Sequence, residues 1–285
     1  MTWAQGARTM LRVMLAVGLT AATASSLQAQ DMRTVTMSRM LGDDDQVRVS
    51  VEYGVGTFSV RSVGEGLLYR MNLRYDENRS EPVAEYSSGS LLVGVNPLDR
   101  RRGRGDRESG ELALELGRGV PMDLDLEFGA VRADLDLGGL TLTGLELSTG
   151  ASQSTVDISE PNRAHMETAR FEVGAAEFTV TNLGNLNADR IEVGAGVGSL
   201  VLSLDGTWQR DARLAIDMGL GALELRVPEG LGIQLHKDSF LTALDSEGLV
   251  KRGDTFESLD WNDAERRVII DLDAAFGSAK VVWIR

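Results

Sequence analysis

The chain has 285 residues, with 43 acidic side chains against 29 basic ones and a formal net charge of −14, a balance that repels phosphate backbones and excludes nucleic acid as a partner. Cysteine is absent, which excludes disulfides and thiolate metal sites, so a core drawn from 42% hydrophobic residues must hold the fold. The 32 glycines against 5 prolines suit strands joined by tight turns.

Residues 1–29 read as a secretory signal peptide. Arg8 and Arg12 precede the apolar run "VMLAVGLTAA", and "TASSLQA" follows, with cleavage expected after Ala29. The run is shorter than the roughly 20 residues a spanning helix needs, and no later segment is apolar enough to cross a bilayer. The expected location is the periplasm or the cell exterior, without a membrane anchor.

Residues 30–118 are expected to form an N-terminal β region. "RTVTM", "GLLYRMNLRY", "SLLVGV" and "ELALEL" read as strands, and the polar run "DENRSEP" and the basic loop "DRRRGRGDRESG" read as exposed connections.

Residues 119–285 read as a glycine-punctuated repeat domain. Gly129, Gly150, Gly174, Gly196 and Gly219 recur at steps of about 21 to 24 residues, a period of stacked arrays. Gly54 in "VSVEYGVGTFSV" and Ala275 in "IIDLDAAFGSAKVVWI" take equivalent places. Around Gly219 the apolar residues are Leu214 and Ile216 before it, and Leu223, Leu225 and Val227 after it. Each half alternates with period two, as a half-buried strand does, but the halves are out of phase. An unbroken strand would turn one apolar set toward water, so a bend or bulge at the glycine must reverse the face. Positive φ, open to glycine without steric cost, is the expected means. Each coil then has an apolar face that only a stacked neighbour can bury, which predicts an all-β, stacked-strand β-solenoid with its open end covered by the N-terminal β region. Between positions 219 and 275, "EGLGIQLHKDS" reads as a strand and "FESLDWNDAERR" as an irregular excursion; no long periodic helix occurs.

Chemistry is harder to find. A glycine-rich phosphate loop would need G-x-G-x-x-G before a helix, whereas Ser199 holds the third glycine place of "GAGVGS" and a strand pattern follows. The calcium-binding nonapeptide repeat has a shorter period and does not match. His165 and His236 stand far apart, and neither sits in a recognisable triad or zinc-ligand spacing. No catalytic, cofactor-binding or metal-binding residue is assigned, and no cofactor is expected. One acidic feature is patterned. If Leu112, Leu114, Leu116, Leu124, Leu126, Leu135 and Leu137 face inward, then Glu111, Glu115, Asp123, Asp125, Asp134 and Asp136 face outward as an acidic ladder that Ca²⁺ or Mg²⁺ could bridge. Arg-Gly-Asp occurs at 104–106 and 252–254, a triplet short enough to arise by chance.

The runs "VPMDLDLEFGAVRADLDLGGLTLTGLELSTGASQSTVDIS", "GNLNADRIEVGAGVGSLVLSLDG" and "SLDWNDAERRVIIDLDAAFGSAKVVWI" resemble the toast-rack β domains of bacterial envelope proteins. These are grouped with the LiaF-like C-terminal domain of cell-wall-active antibiotic response proteins and with related adhesin-type domains. The segment before Gly119 is similar to the toast-rack N-terminal part. The resemblance implies a non-enzymatic exported envelope protein, an interaction or stress-sensing module with an envelope protein or glycan as partner. The chain departs from LiaF-type proteins in carrying a cleavable signal where they have membrane helices. Two other readings stay open: an adhesin-like structural protein of the cell surface, and a polysaccharide-active β-helix enzyme. The second would need a groove of paired acids and stacking aromatics, and only 4 Trp and 4 Tyr are available.

Overall fold

Alternation of apolar and polar residues at period two writes most of the chain into strands. The computed structural model describes residues 32–64, 66–98 and 110–285. The segment read as a signal peptide, most of the basic loop and the first Arg-Gly-Asp triplet lie outside the described residues. In chain order the strands are β1 (Met32–Met40), β2 (Val47–Val63), β3 (Leu67–Asp76), β4 (Ser80–Ser87), β5 (Ser90–Pro97) and β6 (Gly110–Gly117). Then come β7 (Pro121–Asp136), β8 (Thr141–Thr149), β9 (Gln153–Asp157), β10 (Met166–Thr181), β11 (Ala188–Ser203) and β12 (Ala212–Pro228). The last four are β13 (Leu231–Asp245), β14 (Leu249–Arg252), β15 (Thr255–Ser258) and β16 (Arg266–Ile284). All join one sheet, and the only helical turn among the described residues is Leu183–Leu186.

The long strands are coils of a parallel stack, folded over at the aligned glycines. In β7 the inward set is Met122, Leu124, Leu126 and Phe128, and it resumes at Val131, Ala133 and Leu135. Two residues, Gly129 and Ala130, stand where one would keep the phase, so both halves face the same interior. In β12 the leucines flanking the bend, Leu214, Leu223 and Leu225, are all buried, as the phase reversal predicts.

Positive φ falls elsewhere than expected. Gly219 does not adopt it; Gly221, two residues on, has φ 156°, and Gly198 in the coil below has φ 144°. What requires glycine at 219 is the neighbouring coil: a methyl there would stand 2.6 Å from the Gly196 carbonyl oxygen, and one at Gly221 would overlap the Gly198 carbonyl. The repeat glycines therefore stack on one another and let successive coils approach at the bend.

The coil order is β2, β7, β8 with β9, β10, β11, β12, β16, β13, every neighbour parallel. The last two are out of sequence. β12 runs directly into β13, yet β16 inserts between them, from Ala212↔Val268 to Pro228↔Ile284 on one side and from Leu231↔Arg266 to Asp245↔Lys280 on the other. The stretch "FESLDWNDAERR", read as irregular, contributes β15 before its turns, and β14 with β15 forms an antiparallel hairpin against β13 at Gln234–His236.

Asparagine organises the corner opposite the glycines. Asn182 and Asn187 sit in the left-handed region on either side of the short helical turn. Buried Asn162 donates from Nδ2 to the carbonyls of Leu142 (2.8 Å) and Leu186 (3.1 Å), and its Oδ1 accepts the Leu142 N–H (3.0 Å). Asn185 donates to the Ile158 carbonyl and accepts the Thr207 N–H. These side chains satisfy backbone groups that a buried turn leaves without partners.

At the N-terminal end the stack is covered in two pieces. β5 pairs with the first half of β2 and carries β4 as an edge strand; β6 pairs with the second half and is followed by β3 and β1. β4 begins inside the polar run read as a loop, and as an edge strand it tolerates Pro82. Tyr86 ties this end together: its hydroxyl bonds the Asp44 carboxylate and the Arg39 guanidinium lies 4.1 Å from its ring centroid. β2 is itself a coil of the stack, and one apolar cluster runs without interruption from Val47 to Val281.

Candidate interaction surface

Because inward positions are apolar, the side chains two residues before each bend point outward and line up across coils. Strand register brings Glu52, Glu127, Ser148, Glu172, Gly194, Asp217, Asp273 and Asp238 into one row along the stack. Strands in a sheet lie about 4.8 Å apart, so carboxylates opposite one another repel. Within the described residues no basic side chain pairs with Asp217 or Asp273.

Two residues further from the bend runs a second row, Asp125, Glu146, Arg170, Glu192, Ala215, Asp271 and His236. Here arginine interrupts the acids. Arg170 contacts Glu192 at 2.8 Å and Arg190 contacts it at 2.6 Å, and these hydrogen bonds, that of Arg170 foremost, hold the Glu192 carboxyl below the usual range. Asp125 is shifted the other way. Partial desolvation first, then the charges of Glu146, Glu127, Asp123 and Glu52, push its carboxyl up.

Immediately after the glycines lies an apolar row. Val55 faces Ala130 in register, and Ala175, Val197, Leu220 and Phe276 follow one another on consecutive coils. Val55, Val197, Leu220 and Phe276 are 48%, 52%, 52% and 46% exposed. Toward the N-terminal end the acidic row borders an open groove of about 620 Å³, lined by Glu52, Glu127, Ser148, Thr149 and Glu172 over the glycine bends. Two buried hydroxyls nearby, those of Tyr53 and Thr149, have no hydrogen-bond partner among the described residues. Burial, and then the charge of Glu111, push the Tyr53 phenol up, so it stays neutral.

The acidic ladder expected from the leucine pattern is only partly assembled. The seven leucines are buried and the acids face outward, but Asp123 pairs with Arg48 at 3.0 Å and Glu115 with Arg70 at 2.8 Å. Glu111 lies opposite Arg74, Asp134 opposite Ser59 and Thr155, and Asp136 accepts from Ser159 Oγ and the Gly138 N–H. Among the described residues no three His, Asp or Glu side chains are grouped to hold a metal ion. The row richest in acids lies at the bend instead, interrupted by Ser148 and Gly194. Its trace in the sequence is an acid two places before the aligned position: "VEYG", "LEFG", "FEVG", "IDMG" and "LDAA".

The histidines stay apart. His165 Nε2 lies 2.9 Å from Asp189, which also contacts Arg210 at 3.1 Å; these partners, His165 first, lower the Asp189 carboxyl. His236 lies 3.9 Å from Asp271. The second Arg-Gly-Asp triplet is exposed at the tip of the β14–β15 hairpin, with the Arg252 side chain held by Glu257.

No curated protein matches the chain. Among solved structures, a candidate cell adhesion protein from Clostridium sporogenes is 14% identical, with 88% of this chain and 100% of that one covered and a TM-score of 0.45. A candidate adhesin from Bacteroides fragilis is 10% identical over 88% and 97% of the two chains, with a TM-score of 0.37. At such identities and scores neither likeness bears on ligand or role. Residues 23–181, more than half of the sequence, match the family described as the N-terminal domain of toast_rack, DUF2154, a span that takes in the N-terminal cover and the coils through β10: the chain belongs to the toast-rack family.

Proposed function

We propose that the protein is an exported, non-enzymatic module of the cell envelope that works by presenting its solenoid surface to a partner, with stress sensing as its role. The observation that carries this reading is the bend surface, where an acidic row and an exposed apolar row run side by side along a rigid, continuously packed stack. Such rows suit recognition over an area, because a solenoid fixes every outward side chain at the coil spacing. Family membership and the signal-peptide pattern agree with an envelope location.

Fractionation of cells carrying a C-terminally tagged chain, with protease treatment of intact cells, tests the reading. A shortened, protease-protected periplasmic form is expected. A tag accessible on intact cells would favour the adhesin-like role instead, and retention in the cytoplasm would overturn both. Release of reducing ends from cell-wall polysaccharide by the purified protein would overturn the non-enzymatic assignment.

A further inference from the structure

Resting on that reading, we infer that the bend surface at the C-terminal half of the stack docks a cationic peptide segment with interleaved apolar residues, seated on Val197, Leu220 and Phe276 with its basic side chains against Asp217 and Asp273. The three apolar side chains occupy the same place on the consecutive coils β11, β12 and β16, each about half exposed. Their exposed neighbours are small: Gly196, Gly198 and Ser199 on one coil, Gly219 and Ala222 on the next. On β11 and β12 the described neighbours are thus too short to cover Val197 and Leu220. Contiguous exposed apolar surface of this kind on a water-soluble fold marks an interaction site.

Charge selects the occupant. Asp217, Asp273 and Asp238 stand in register on β12, β16 and β13, three residues before the apolar stripe on the first two strands. Like charges placed opposite one another cost stability, and a cation brought by a ligand relieves that cost. A second copy of the chain would bring the same carboxylates to the same face, and an anionic lipid surface would add negative charge. A basic, partly apolar peptide is the chemistry that complements both rows. From Val197 to Phe276 the stripe crosses two coil steps of about 4.8 Å, roughly 10 Å, so an extended segment of a few residues spans it and a longer peptide overlaps both rows.

Fluorescence anisotropy with a labelled ten-residue alternating Lys–Leu peptide, on the chain purified from the envelope fraction, tests this. The peptide is expected to bind at least tenfold more weakly to Leu220→Ser/Phe276→Ser and to Asp217→Asn/Asp273→Asn, with a shallower salt dependence for the second variant. An alternating Lys–Ser peptide is expected to bind the unaltered protein at least tenfold more weakly. All four positions are exposed or at the bend surface, and far-ultraviolet circular dichroism checks that both variants stay folded. Equal binding by all three proteins, or equal affinity for the two peptides, would overturn the assignment. So would self-association in sedimentation that the serine variant abolishes, which would make the occupant a second copy, or binding to anionic vesicles through the same residues. Failure of the peptide with envelope location intact would remove this inference alone, whereas cytoplasmic retention would remove the broader reading whatever the peptide does.

Discussion

Alanine substitution at two glycines of the same motif separates coil contact from local backbone need. At Gly219 an added methyl stands 2.6 Å from the Gly196 carbonyl oxygen, and the backbone there has no positive φ, so the whole penalty comes from the neighbouring coil. Backbone cannot yield as a flexible side chain can, and overpacking of this kind costs about 1–3 kcal/mol. At Gly54, the equivalent place in β2, an added methyl meets nothing within 4 Å. Gly54→Ala therefore leaves stability within about 0.5 kcal/mol, or raises it slightly by restricting the unfolded chain. Urea unfolding followed by circular dichroism reads the difference as a fall in midpoint for Gly219→Ala alone, at unchanged slope. Equal destabilisation of the two variants would refute the reasoning, since the glycine would then be serving its own backbone.

Asn162→Ala leaves the Leu142 N–H and the Leu142 and Leu186 carbonyls without their side-chain partner, and should cost about 2–4 kcal/mol, seen as a lower melting temperature. Asp125 has a native pKa raised above its unfolded value of 3.8, so its charge destabilises fully above the raised native value and not at all below 3.8; Asp125→Asn should raise the urea midpoint at pH 7, with the gain vanishing below pH 3.8. Glu192 is the opposite case. Its carboxyl is lowered from 4.5, so its contribution is complete above pH 4.5 and is lost as pH falls through the depressed native value; Glu192→Gln should lower the midpoint at pH 7 and match the parent in strong acid. Removal of residues 266–285 uncovers paired edges of both β12 and β13, and should give an aggregating product in size-exclusion chromatography rather than a shortened soluble stack.

Much of the candidate surface was legible. The acid two places before most of the aligned positions and the apolar residue one place after them, as in Asp217 and Leu220, can both be read from the repeat once the strands are known to stack in register. Which acids stay unpaired could not be read. Asp123 and Glu115 fit the same outward pattern as Asp125, and only the pairing of β7 with β2 and of β6 with β3 brings Arg48 and Arg70 to them. The asparagine corner was likewise silent, because Asn162 reaches carbonyls 20 and 24 residues away and leaves no periodic mark.

The amino-acid sequence by itself determined the long strands, the inward face of each half-coil and the reversal at the bend, because side-chain direction along a strand is a local property of period two. Tertiary structure alone decided the order of the coils. β16 lies between β12 and β13 although the chain links those two directly, since backbone hydrogen bonding is blind to sequence distance and any strand of matching length and register can fill the edge. It also decided why the repeat glycines are needed: at Gly219 the constraint comes from a carbonyl on another coil, at Gly196, which no local reading of the bend contains.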